Sequence, residues 1–226
     1  MFLNLQKELE KKADSKKAKI LQRFFKTNPG EYGQGDIFLG IKVPEIRKTI
    51  KKYSLSLQEI EKLLHSKFHE QRLAALFLMI EEFKKNPEKV FNLYLKNTRH
   101  VNNWDLVDVS SYKIIGAYLF DKKRDILYKL VRSNNIWEKR IAIISTFYFI
   151  KNNDFKDTFK ISSILLQDNH YLIQKAVGWM LREIGKKNKE ILKNFLKKNY
   201  QKISKITLCY ATEKFSLREK NALANY

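Results

Sequence analysis

The sequence predicts an all-α fold, a curved solenoid of stacked helix pairs, and three observations point there. Seven glycines and three prolines punctuate 226 residues, too few for a sheet with many turns. Apolar residues recur at helical rather than strand spacing along nearly the whole chain. One type of segment returns at intervals of about 35 residues. With 44% hydrophobic and 13% aromatic residues, the chain can bury a real core, and residues 1–226 are expected to form one domain.

From Leu3 to Lys26 the apolar positions Leu5, Leu9, Ile20, Leu21, Phe24 and Phe25 are separated by charged stretches, the pattern of a solvated helix. The Gly-rich stretch of the chain follows, from Asn28 to Asp36, and leads into Phe38-Leu-Gly-Ile-Lys-Val-Pro44. Pro44 suits the first turn of a helix running through Ile46 and Ile50 to Tyr53. Ser54 or Ser56 can cap the next helix, with Glu59 completing a capping box from Ser56.

Beyond that point the chain is repetitive. Phe68-His-Glu-Gln-Arg-Leu-Ala-Ala-Leu76 resembles Ile136-Trp-Glu-Lys-Arg-Ile-Ala-Ile-Ile144 and Tyr171-Leu-Ile-Gln-Lys-Ala-Val-Gly-Trp179. Aligning Arg72, Arg140 and Lys175 gives offsets of 68 and 35, and the segment from Asn102 to Asp108 falls near the missing middle register. Partner helices are expected around 89–97, 124–131, 155–166 and 190–198. Two helices per repeat of this length describe a HEAT-like array. Basic residues at one register, Arg72, Arg140 and Lys175, would then line up along one surface and suit a phosphate backbone. Capping or bridging of neighbouring repeats is the competing role for each.

The charge balance bears on partners. Lys and Arg number 45 against 24 Asp and Glu, a net charge of +21. A lysine-rich coding background contributes to that excess, but folding alone demands no such bias. It implies a polyanion, nucleic acid before an anionic membrane. One cysteine, Cys209, excludes an internal disulfide and a Cys-based zinc site, and the four histidines show no ligand spacing. The first residues lack the apolar core of a signal peptide, and no run approaches membrane-spanning length. A cytoplasmic, nucleoid-associated monomer without metal or cofactor is expected.

The unusual segment is Asn102-Asn-Trp-Asp-Leu-Val-Asp108. On a helix Trp104 and Asp108 share a face. An aromatic plate beside a carboxylate suits a cationic ligand, because burying an unpaired carboxylate in a core is costly. A core tryptophan with a capping or Arg-paired aspartate is the alternative. Trp179 follows Gly178, whose missing side chain lets a neighbouring helix or a DNA strand approach. Trp137 stands beside Arg140, and core packing accounts for it most easily of the three tryptophans.

Four stretches, 32–44, 103–108, 135–140 and 174–183, resemble the signature segments of the AlkD-type DNA alkylation repair family, in the family's order and over essentially the whole chain. That resemblance implies a HEAT-like fold and excision of N3- and N7-alkylated purines from double-stranded DNA. It places the catalytic carboxylate on Asp108, the two site tryptophans on Trp104 and Trp179, and a DNA-contacting arginine on Arg140. The stretch from Lys205 to Glu213 departs from the pattern. Lys205 keeps a charge but not a bidentate fork, and Cys209 keeps neither, where arginines often stand. Arg72, Trp137, Lys175 and Lys205 complete the expected DNA-binding set.

The implied chemistry is simple hydrolysis. An alkylated purine is already cationic and leaves readily, so no histidine is needed as general acid. Asp108 would stabilise the oxocarbenium-like sugar and position water. No lysine stands out for a Schiff base. A non-catalytic nucleic-acid-binding array and a protein-binding HEAT module remain the rival readings.

Overall fold

The computed structural model describes residues 1–224. The regular elements among those residues are helices; the extended pairing among them is an isolated parallel bridge between Ile37 and Phe68. They divide into two compact units, 1–110 and 111 onward.

The first unit holds α1 (Phe2–Glu10), α2 (Ser15–Phe24), α3 (Val43–Ile50), α4 (Leu57–Leu64), α5 (His69–Phe83), α6 (Pro87–Lys96) and most of α7 (Trp104–Ser111). The helix expected from Leu3 to Lys26 is two. Asp14 breaks it, adopting an extended backbone and accepting from the Lys17 N–H at 3.0 Å to cap α2. Pro44 sits in the first turn of α3. Ser56 and Glu59 form the expected capping box on α4.

The loop between α2 and α3 is held from two sides. The Glu70 carboxylate, buried at the start of α5, accepts from the backbone N–H groups of Leu39, Gly40 and Ile41 at 2.8, 2.8 and 3.2 Å. On the other side the Asp14 N–H donates to the Leu39 carbonyl at 2.8 Å. Gly40 makes this approach possible. Its φ is +85°, and a Cβ there would lie 2.2 Å from the Asp14 carbonyl oxygen.

Helix α7 continues through a π-helical turn, Tyr112–Gly116, into the short α8 (Ala117–Leu119). The second unit continues with α9 (Asp125–Leu130), α10 (Ile136–Ser145), α11 (Phe147–Lys151), α12 (Lys156–Leu165), α13 (Tyr171–Lys187), α14 (Lys189–Asn199), α15 (Lys205–Ala211) and α16 (Leu217–Ala224). The four segments aligned in sequence all lie on helices: α5, α7, α10 and α13. Gly178 on α13 admits a neighbouring helix: a Cβ there would lie 2.5 Å from the Tyr210 Cβ and 2.7 Å from the Thr207 carbonyl of α15.

A buried carboxylate that gathers three backbone donors cannot be removed cheaply. Glu70→Ala is expected to cost about 3 kcal/mol in urea unfolding, since the amides of 39–41 lose their acceptor. A loss below roughly 0.5 kcal/mol would show that the loop is held by other contacts.

Candidate active site

In the first unit the site is built around the N-terminus of α7. Asn103, fully buried, opens the helix: its side-chain oxygen accepts from the Trp104 N–H at 2.9 Å, and its carbonyl accepts from the Val107 N–H at 3.1 Å. Trp104 and Asp108 follow one turn apart, both half-buried. The Trp104 ring stacks on Phe25, with centroids 5.2 Å apart and planes at 19°, and meets the edge of Phe24 at 5.9 Å. One face of the indole is thus fixed by α2 and the residue after it. Asp108 lies close enough to the fully buried Tyr94 of α6 to act on it. Burial pushes the Tyr94 phenol up, the Ser110 hydroxyl pulls it down, and the Asp108 charge pushes it up further.

Behind this turn runs a row of charges of alternating sign. An Arg72 guanidinium nitrogen donates to Asp36 at 2.7 Å. His69, at the start of α5, places Nδ1 3.1 Å from the other Asp36 oxygen and Nε2 2.8 Å from Asp105. Asn102 and Asn103 also donate to Asp36, at 3.0 and 3.4 Å. Burial works against charge on His69, but the Asp105 charge and hydrogen bond, joined by the Asp36 hydrogen bond, prevail and raise it to about 9. For Asp36 burial pulls upward, yet His69 and Arg72 hold it below the usual carboxylate value. At neutral pH both ring nitrogens of His69 therefore donate to carboxylates.

His69 and Asp105 also face an apolar cavity of about 510 Å³, walled by Phe24, Phe25, Phe38 and Ile41, with Lys17 and Lys42 among its lining. Among the described residues no group of three or more His, Cys, Asp or Glu side chains could hold a metal ion.

The expected phosphate stripe needs correction at two positions. Arg72 is only 4% exposed, and besides Asp36 it donates to the carbonyls of Ser66 and Lys67. In the second unit Arg140 is 5% exposed and donates to the Leu172 carbonyl in the first turn of α13. Their shared register is an internal contact made near a helix start, and not open surface. Trp137 is likewise buried, with its N–H capped by Asn135 at 2.9 Å.

Trp179, also in the second unit, is half-buried. Its indole N–H donates to Glu183 at 3.1 Å, and its ring lies 5.9 Å from Phe147. Lys175 rests over the rings of Tyr171 and Tyr210. Lys205 is exposed and borders a shallow hollow with Cys209 and Lys220.

Sequence reasoning missed the Asp36–His69–Asp105 set. Asp36 and Asp105 both lie within segments already singled out, but their partner is a histidine in a third segment. Nothing in spacing joins the three.

The chain matches the model of a family described as DNA alkylation repair enzyme over residues 5–215. It belongs to that family. A solved structure from Enterococcus faecalis, titled a predicted DNA alkylation repair enzyme, has the same fold: TM-score 0.75 at 18% identity, spanning 91% of this chain and 97% of that one. None of the curated proteins matches the chain. No helix of the described residues is long and apolar enough to cross a membrane.

The His69 shift sets a pH dependence for this family member. A raised value means the stabilisation is complete below about 6.5 and is lost as pH rises through about 9. Unfolding free energy should fall by an amount on the order of 3 kcal/mol across that window. His69→Phe should flatten it. Equal urea midpoints at pH 7 and pH 10 in the unsubstituted protein would contradict the charged state of His69.

Proposed function

We propose that the protein is a monofunctional DNA glycosylase that hydrolyses the N-glycosidic bond of N3- and N7-alkylated purines in duplex DNA. The observation that carries this reading is the pairing of half-buried Asp108 with half-buried Trp104 on one face of α7, in a member of a DNA alkylation repair family.

An alkylated purine carries positive charge, so the pair of electrons in the breaking C1′–N bond neutralises the departing base. The sugar is left cationic. Asp108 stabilises that cation and orients a water molecule, whose oxygen bonds to C1′ while its proton passes to Asp108 and on to solvent. The products are free base and an abasic site. The face of Trp104 favours the cation by about 0.5–2 kcal/mol. Partial burial of Asp108 strengthens its field at the sugar relative to open water.

Duplex binding rests on the excess of Lys and Arg, +21 in sum. With Arg72 and Arg140 buried, Lys175 and Lys205 carry the phosphate contacts among the residues named, and binding should weaken steeply with salt.

Asp108→Asn is expected to lower 3-methyladenine and 7-methylguanine release from methylated duplex DNA at least about 100-fold. Affinity for undamaged duplex should stay within about threefold, because the carboxylate contributes nothing to phosphate binding. Tight, salt-sensitive binding with no release by the unsubstituted protein would instead assign it to a nucleic-acid-binding module.

A further inference from the structure

His69 has no place in the reaction just proposed, yet it is the most heavily engaged titratable side chain near it. It is 1% exposed and touches the loop between α2 and α3 as well as α7. We propose that His69 is a positioning residue of the base-excision site: it clamps Asp105, and through Asp105 fixes the first turn of α7, which carries Trp104 and sets the direction of Asp108. This inference rests on the glycosylase reading for its kinetic consequence, but not for the clamp itself.

Two ties run from His69 to that turn. The first is ionic. Asp105 Oδ2 accepts from His69 Nε2 at 2.8 Å, whereas Asp105 Oδ1 is buried and has no hydrogen-bond partner. A half-buried carboxylate with one oxygen bonded to His69 and the other buried without a partner depends on that ring for its place. The second tie is aromatic. His69 stacks on Phe38 at 4.4 Å, Phe38 on Phe25 at 4.9 Å, and Phe25 on Trp104 at 5.2 Å. Both routes end on adjacent residues, Trp104 and Asp105.

The other end of the clamp is equally fixed. Nδ1 meets Asp36, which Arg72 and two asparagines hold in turn, and the His69 N–H donates to the Ile37 carbonyl at 2.9 Å. The charged groups facing the ring are Asp36 from the loop, Asp105 from α7 and Arg72 from its own helix. A protonated ring donates to both carboxylates; a neutral ring donates to one and leaves the other facing a lone pair. The clamp should therefore loosen as pH rises through about 9.

The test combines excision kinetics with a signal from Trp104. In single turnover on methylated duplex, His69→Gln and Asp105→Asn should each lower 3-methyladenine release about 10- to 100-fold with DNA affinity within about threefold, the signature of a displaced catalytic turn. The double variant should lose little more than either single one. In the unsubstituted protein the Trp104 indole N–H resonance, assigned with Trp104→Phe, should shift with a midpoint near pH 9. Asp105→Asn should move that midpoint to lower pH, because the ring loses the charge that raises it most, so a poorly folded His69 variant does not block the test. Wild-type rates in both single variants, or additive losses, or an indole resonance that ignores pH, would overturn the proposal. Absence of base release by the unsubstituted protein would overturn the glycosylase reading and the kinetic role with it, while the indole titration would still decide the clamp.

Discussion

The row Arg72, Asp36, His69, Asp105 alternates in sign and crosses three segments of the first unit, with contacts of 2.7, 3.1 and 2.8 Å. Each charge in it is buried or nearly so, and none could be buried alone. A lone ion moved into a protein interior loses several kcal/mol of hydration that only a well-placed counter-charge offsets. The row is therefore conditional on itself. Removing any member leaves a neighbour uncompensated, which makes the Gly-rich loop, the start of α5 and the start of α7 one structural object.

That object is what presents Trp104 and Asp108. Glu70, one residue from His69, adds the backbone of 39–41 to the same assembly through three accepted hydrogen bonds. The loop carries turn hydrogen bonds of its own between residues 26 and 36, and two acidic side chains, Asp36 and Glu70, tie it to the helices beside it. Its glycines permit the close approach, and the acids enforce it. The resemblance of segment 32–44 to a repair family has a physical basis here: the segment is a docking strip for the helix beside it.

The arginines of the second and first units follow a common logic. Arg72 donates to the carbonyls that precede α5, and Arg140 to a carbonyl in the first turn of α13. A guanidinium carries five donors in a plane and suits several carbonyls at once, so the register that looked like a phosphate stripe satisfies backbone instead. Exposed lysines are left to make the positive surface, which suits them, since an ammonium is strongly hydrated and pays heavily for burial. The hydrogen-bonded Trp179–Glu183 pair on α13 shows the same economy within a single helix.

By itself the sequence determined the helical class, the place of Pro44 in the first turn of α3, the Ser56 cap of α4, the helices of the recurring segments, α5, α7, α10 and α13, and the setting of Trp104 and Asp108 one turn apart. All of these depend on neighbours within a few residues, where spacing and local hydrogen bonding decide the outcome. It misjudged the stretch from Leu3 to Lys26, because Asp14 reads equally well as a surface residue and as a cap. Only tertiary structure decided which side Arg72 and Arg140 face, which of the two possible neighbours meets Gly178, and that His69 joins Asp36 to Asp105. Most of the contacts behind those outcomes join residues far apart in the chain, as His69 is from Asp36 and Asp105, and a buried charge reveals its partner only when the chain has brought the two together.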